Sequence, residues 1–266
     1  MSRMAWEQEL KVARRAAQRA GEIALEHAAR DVTAEEKPDD SPVTAADRAC
    51  ESAIVETLRE AFPEDGILGE EGARLEGRSG RRWIVDPIDG TRDFLRGLPV
   101  WSNLVALEAE GEPRVGVCNL AAAGQLYWAA EGRGAWREED GESRRIRASG
   151  IDRRNRAVVC LTAFNRLTGH SFTPRLLDFL AGFWAVRSFS GCQDAMLVAD
   201  GRAEAWIELA AASWDLAPLK VIALEAGARF FNFDGGSSIH GGNCVICAPG
   251  LEADLRSFVD PLRESC

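Results

Sequence analysis

The stretch Trp83-Ile84-Val85-Asp86-Pro87-Ile88-Asp89-Gly90-Thr91-Arg92-Asp93-Phe94 is the densest chemical signal in the chain. Its opening apolar run predicts a buried strand that delivers Asp86 at its end. Pro87 then turns the chain, so that Asp89 folds back towards Asp86, and Gly90-Thr91 offers backbone N–H groups where an anion can sit. Two carboxylates held that close repel each other and are costly without a cation. Hard oxygen donors of this kind suit Mg²⁺, which keeps open positions for water and phosphate oxygens. An Asp-rich turn that caps a short helix is the competing structural explanation.

Three more segments bear on that choice. Ile67-Leu68-Gly69-Glu70-Glu71-Gly72 places a carboxylate pair just after a short apolar run. Ser213-Trp214-Asp215-Leu216-Ala217-Pro218 puts Asp215 at the start of a helix that runs to Gly227. Simple N-capping also explains Asp215, with Pro218 in the first turn and Gly227 as the C-cap. Lys37-Pro38-Asp39-Asp40-Ser41-Pro42-Val43 forms a polar loop before Thr44-Ala45-Ala46-Asp47. Thr44 and Asp47 have the spacing of a capping box in its acidic form, which competes evenly with a catalytic role for Asp47.

Around these motifs the chain is mixed α/β. Residues 4–30 carry apolar positions at helical spacing (Met4, Leu10, Ala13, Ala17, Ala20, Ala24), and a second helix is expected over 44–61. Short strands are expected at 66–69 and 82–86, followed by an antiparallel meander over 100–137 with turns at Gly-Glu-Pro and Ala-Gly. The Arg- and Glu-rich stretch from Arg137 to Arg147 marks the boundary between two sheet-containing halves, 1–140 and 141–266, with the site between them. Beyond it, strands at 157–161, 205–208 and 243–248 alternate with helical patterns. Cys244-Val245-Ile246-Cys247 has CxxC spacing, but no second pair or nearby His completes a zinc site, and the run is expected to be a plain strand.

Bulk properties narrow the class. The net charge of −10, from 32 basic and 42 acidic residues, argues against a nucleic-acid partner. A phosphate site on so acidic a protein needs metal ions to invert the local field. No apolar run approaches the roughly 20 residues that span a bilayer, so no membrane role is expected. The first residues lack the apolar core of a signal peptide, and seven scattered cysteines suit reduced thiols; both predict a cytoplasmic protein. The three histidines lie outside every motif.

In this order, Ser41-Pro-Val-Thr-Ala-Ala-Asp47, Gly69-Glu70-Glu71, Asp86-Pro-Ile-Asp-Gly-Thr91 and Trp214-Asp215 resemble the inositol monophosphatase superfamily of Mg²⁺-dependent, Li⁺-sensitive phosphatases. Gly132 to Trp136 and Glu225-Ala-Gly227 extend the resemblance over nearly the whole chain. It implies a layered αβαβα sandwich, a homodimer, and two or three Mg²⁺ ions. By match to the motif, Glu70, Asp86 and the carbonyl of Ile88 would hold one ion. Asp86 would bridge to a second, completed by Asp89 and Asp215, with a labile third near Glu70. Thr91, backed by Asp47, would polarise the attacking water. The Gly90 and Thr91 N–H groups would hold phosphate oxygens, and Lys37 matches a lysine of the mobile loop. The substrate would be a small phosphate monoester, cleaved with little covalent help from the protein.

The resemblance says less about the alcohol. Glu208 matches the acidic residue that meets the organic part of the substrate, and Arg92 either contacts substrate or braces its loop. Asp86 to Trp101 looks most like the histidinol-phosphatase branch. That branch carries Gly-Asp-Cys where this chain has Ser190-Gly191-Cys192, and Asp194 is the nearest carboxylate, in a different helical register. Histidinol phosphate and inositol monophosphate stand as near equals. Nucleotide 3′-phosphatase or fructose-bisphosphatase activity is an alternative, and a non-catalytic metal-binding accessory role is the alternative of another class.

Overall fold

Period-2 alternation in the strands sorts side chains into separate cores, and that sorting builds the architecture. A computed structural model describes residues 6–30, 33–36 and 42–260. In chain order its elements are α1 (Glu7–Ala28), β1 (Ala34–Glu36), β2 (Pro42–Thr44), α2 (Ala45–Ala61), β3 (Gly66–Gly69), β4 (Arg74–Leu75), β5 (Arg81–Asp89) and α3 (Thr91–Leu95). The meander follows as β6 (Ser102–Ala109), β7 (Glu112–Leu120), β8 (Gln125–Ala130), β9 (Ala135–Glu139) and β10 (Glu142–Ile146). The rest is β11 (Val158–Thr162), α4 (Leu176–Ala181), β12 (Ala185–Arg187), α5 (Gly191–Ala199), β13 (Ala205–Glu208), α6 (Ser213–Glu225), β14 (Arg229–Phe231), β15 (Cys244–Cys247) and α7 (Glu252–Val259).

One sheet has the order β10-β9-β8-β7-β6-β5-β3-β4 and the other β12-β11-β13-β15-β14. On one face of the larger sheet, Trp83, Val85, Val105 and Leu107 pack with the alanine stripe of α1 and with Ile54 and Leu58 of α2. On its other face, Ile84, Leu104 and Ala106 pack with α5, α6 and the inward residues Trp206, Cys244 and Ile246 of the smaller sheet. The outward residues Ile207, Val245 and Cys247 meet α4 and α7. These are the five αβαβα layers. Cys244 and Cys247 therefore lie in different layers, as a spacing of three on a strand requires, and they cannot share a metal.

α6 sits hard against β7. A Cβ on Gly116 would lie 2.5 Å from the Pro218 carbonyl oxygen, so only glycine admits the helix at that distance. Pro218 lies inside α6 and not in its first turn. Gly227, at φ 85°, follows the C-cap Ala226, and the Gly227 and Ala228 N–H groups close onto Leu224 and Ala223. At the same helix end the Glu225 carboxylate accepts the N–H groups of Gly132 and Gly134 at 2.8 and 2.6 Å, tying two of the resemblance motifs together.

The charged stretch 137–147, expected to mark the boundary between halves, is regular structure. It forms most of the β9–β10 hairpin, with Asp140-Gly141 at the turn in positive φ. Two of its arginines share one partner: the buried Arg137 guanidinium meets Asp200 at 3.1 Å, and Arg144 reaches the same carboxylate at 2.5 Å. Residues 140 and 141 thus fall at a hairpin tip within one sheet, whose last strand ends at Ile146. In the acidic loop before α2, β1 pairs antiparallel with β2. Met4 and Lys37 lie outside the described residues.

Candidate active site

β3 and β5 run parallel, with Gly69 opposite Val85, so they deliver Glu70 and Asp86 side by side at the same sheet end. The Glu70 N–H continues the ladder onto the Val85 carbonyl at 3.1 Å.

Pro87 does not reverse the chain. β5 continues to Asp89 through a bulge, with Asp86 opposite Leu104 and Asp89 opposite Ser102. Three steps along β5 are matched by two along β6. In a regular strand, residues three apart face opposite ways; the extra residue restores the phase, and both carboxylates project to the inner face. Pro87 fits there because a bulge leaves a position that needs no N–H in the ladder. Asn103 Nδ2 donates to the Pro87 carbonyl at 2.6 Å, and Asn119 Nδ2 donates to Asn103 Oδ1 at 3.1 Å and to the Ala17 carbonyl of α1 at 2.9 Å.

The inner face is where α6 lies, and its first turn adds Asp215. One ligand atom each from Asp86, Asp89 and Asp215 lie within 4.8 Å of one another. Asp215 also caps its helix, accepting the Ala212 N–H on Oδ2 at 2.7 Å, so the carboxylate that joins the cluster is the one that holds the start of α6. Ala212 has no side-chain oxygen, and only the Asp215 half of a capping box is present.

Electrostatics mark the cluster as incomplete. Burial, followed by the charges of Glu70, Asp89 and Asp215, holds Asp86 well above the ordinary carboxylate range. Burial and then Asp89 do the same to Asp215. Asp89 is pushed up to about 6 by desolvation, against hydrogen bonds from the Cys192 thiol and N–H. Asp86 Oδ1 is buried with no hydrogen-bond partner. An orphaned carboxylate oxygen amid like charges is what a cation-binding site without its cation should show, so these residues fit a hard divalent metal. Glu70 adds its charge to the rise of Asp86 but is not in the mutually close group.

Beside the cluster, Gly90 adopts φ 89° as N-cap of α3, a conformation that favours glycine, and puts Thr91 at the first helical position. Thr91 Oγ1 lies 3.3 Å from Asp47 Oδ1 and 3.1 Å from the Ile88 carbonyl oxygen, and its one proton serves one of them at a time. Asp47 Oδ2 accepts the Thr44 N–H at 2.8 Å and the Thr44 hydroxyl at 2.6 Å. The capping box is therefore real, and it aims the other oxygen at Thr91. Burial raises the Asp47 pKa, opposed by the Thr44 hydrogen bonds.

Glu208 ends β13, buried, with the Thr162 hydroxyl donating to one oxygen and the Ala210 N–H to the other at 3.2 Å. Burial pushes it up to about 7, with Asp89 adding to the rise. A Cβ on Gly191 would stand 3.4 Å from Glu208 Oε2, so the position that carries Asp in the histidinol-phosphatase pattern adjoins Glu208. Arg92 is exposed on α3. Asp194, expected as a substrate contact, is fully buried, its oxygens take the Phe189 N–H at 3.2–3.3 Å, and it joins α5 to the chain before it. Sequence reasoning missed Asn103, Asn119 and Cys192. Two asparagines in otherwise apolar strands were the available signal for the first pair; nothing local marked Cys192.

A model of the Inositol monophosphatase family matches residues 5–260. The histidinol-phosphatase of Mycobacterium tuberculosis (strain ATCC 25618 / H37Rv) is 38% identical over 239 residues, 89% of this chain and 92% of its own. The Nus factor SuhB of Pasteurella multocida (strain Pm70) is 32% identical over 263 residues, covering 95% and 96%. The solved structure of an IMPase from Thermotoga maritima superposes with a TM-score of 0.83 at 28% identity, covering 96% of this chain and 98% of the other.

Proposed function

The chain belongs to the inositol monophosphatase family and is a phosphomonoesterase, and we propose that it uses Mg²⁺ to hydrolyse the phosphate ester of a small polar alcohol. The convergence of Asp86, Asp89 and Asp215 around an orphaned carboxylate oxygen, next to the Thr91–Asp47 pair, carries this proposal. Asp86, Asp89, Asp215, Glu70 and the Ile88 carbonyl would hold two or three Mg²⁺ ions. Bound there, Mg²⁺ would neutralise the charge that spreads over the phosphoryl oxygens.

The remaining work falls to the chain itself. With its proton directed to Asp47, Thr91 Oγ1 has lone pairs free to accept from, and so orient, the attacking water. The Gly90 and Thr91 N–H groups hold phosphate oxygens at the start of α3. Glu208 faces the alcohol. With glycine at 191, it is the carboxylate at that spot, suited to a hydroxyl or to a cationic amine or imidazole. Histidinol phosphate is the first candidate, on the strength of the 38% identical relative, and inositol monophosphate the second.

Phosphate release from both substrates, with Mg²⁺ and with EDTA, tests this directly. We expect metal-dependent turnover that Asp89→Asn abolishes, with the better substrate fixing the branch. A folded protein that binds Mg²⁺ yet turns over neither would overturn the proposal in favour of an accessory role.

We place the enzyme in the cytoplasm, since the six cysteines among the described residues are free and buried. Among those residues no helix is long and apolar enough to cross a membrane. A homodimer is proposed through the face around edge strand β12, where Leu177 and Trp184 are 80% and 72% exposed and Phe164 and Phe189 are also uncovered. Sedimentation of Trp184→Glu as a monomer, against a wild-type dimer, would support it; a wild-type monomer would refute it.

A further inference from the structure

Glu51 lies one helical turn beyond Asp47 on α2 and is buried. It does not belong to the carboxylate group that can share a metal. Its oxygens point instead at the loop that carries Glu70. Oε2 accepts the Glu71 N–H and Oε1 the Ala73 N–H, each at 2.9 Å. The loop is closed on itself by the Gly69 N–H on the Ala73 carbonyl at 2.7 Å. The fit is tight: a Cβ on Gly69 would lie 2.1 Å from Glu51 Oε2. Glycine at 69 is thus required by the carboxylate and not by a positive φ, since Gly69 adopts none.

Glu70 is consequently fixed from both sides. Its own N–H is tied to β5 through Val85, and the next N–H along, at Glu71, is tied to α2 through Glu51. Charge-assisted hydrogen bonds of this kind are about twice as strong as neutral ones. A carboxylate is suited to the task because it offers two acceptors in a fixed plane to two converging N–H groups. α2 then serves the site twice, through Asp47 on Thr91 and through Glu51 on the Glu70 loop.

We propose that Glu51 is a positioning residue for Glu70, setting the loop on which the metal position completed by Glu70 depends. This rests on the metal reading given above. Outer residues that orient metal ligands typically change affinity by about 10–100-fold when lost.

The test is Mn²⁺ binding to the full chain, followed by the electron paramagnetic resonance of free Mn²⁺, for wild type, Glu51→Gln, Glu51→Ala and Gly69→Ala. Glu51→Gln keeps one acceptor oxygen, so Mn²⁺ affinity should fall in the order wild type, Glu51→Gln, Glu51→Ala, with about tenfold lost at the weakest site in Glu51→Ala. Gly69→Ala, which displaces the carboxylate without removing its charge, should match Glu51→Ala. In turnover assays the loss should appear as a raised KM for Mg²⁺, with kcat largely recovered at saturating Mg²⁺. If Glu51→Ala does not fold, Glu51→Gln and Gly69→Ala decide the matter. Unchanged Mn²⁺ affinity in those folded variants would overturn the role of Glu51. Absence of Mn²⁺ binding by the wild type would instead overturn the metal reading beneath it.

Discussion

Asp86 and Asp89 project from the same face of β5 although they stand three residues apart, because a bulge between them adds one residue against β6. That phase correction brings two acidic residues into one carboxylate cluster with Asp215. The bulge is held at the Pro87 carbonyl by Asn103.

Replacing Asn103 with Leu should therefore damage the metal centre from a distance. Losing a buried hydrogen bond of this type costs about 1–3 kcal/mol, and the bulge loses its anchor. We expect a higher Mg²⁺ requirement and a kcat/KM lower by about 10–100-fold, read from turnover against Mg²⁺ concentration. Wild-type Mg²⁺ dependence in Asn103→Leu would show that the bulge holds itself.

Removing one of the crowded carboxylates should stabilise the protein while destroying its activity. Burial and the neighbouring charges raise Asp86, Asp89 and Asp215 together, a sign that their ionised forms are strained without metal. In EDTA at neutral pH, Asp89→Asn should melt a few degrees above wild type, of the order of 1 kcal/mol. With Mg²⁺ the order should reverse, because only the wild type gains full binding energy. Thermal melts under both conditions check the reversal.

Glu208 gives a pH signature. Its folded-state value of about 7 lies above the roughly 4.3 of an unfolded glutamate. Its contribution to stability is thus fully present below about pH 4 and is lost as pH rises through 7, amounting to roughly 4 kcal/mol. Metal-free protein should lose stability between about pH 4.5 and 7.5, and Glu208→Gln should flatten that part of the slope. Denaturant titrations across the range measure it, and equal slopes in the two proteins would contradict it.

Gly116→Ala should act on Asp215 through the backbone. The new methyl would meet the Pro218 carbonyl at 2.5 Å, and α6 must move off the sheet to admit it. Overpacking of this sort costs about 1–3 kcal/mol, and the displaced helix carries Asp215 away from Asp86 and Asp89. Weaker Mg²⁺ binding together with a lower melting temperature is expected. A melting effect alone would mean that the first turn of α6 is held independently of its packing.

Much of the fold was legible because its cues are local. The apolar runs Trp83-Ile84-Val85 and Leu104 to Leu107, and the helical spacing of Ala13, Ala17, Ala20 and Ala24, each lie within one element. The β9–β10 hairpin was hidden for the opposite reason. Its charges drew the eye as a boundary, because their partner Asp200, which pairs with Arg137 and Arg144, lies far along the chain. Asp47 and Asp215 left capping and chemistry in competition, and the structure shows that capping does not remove either from the site: Asp47 holds Thr44 with one oxygen and meets Thr91 with the other, and Asp215 caps α6 while lying in the carboxylate cluster.

By itself the sequence determined the family to which the chain belongs and the order of its acidic motifs along the chain, since residue identity and short spacing suffice for these. Only the tertiary structure decided which donors meet. Convergence of Asp215 on Asp86 depends on how closely α6 packs at Gly116; the shared face of Asp86 and Asp89 depends on pairing with β6. The diversion of Asp194 to the Phe189 backbone depends on where α5 begins. Each is set by contacts between residues distant in sequence, where no local periodicity carries the information.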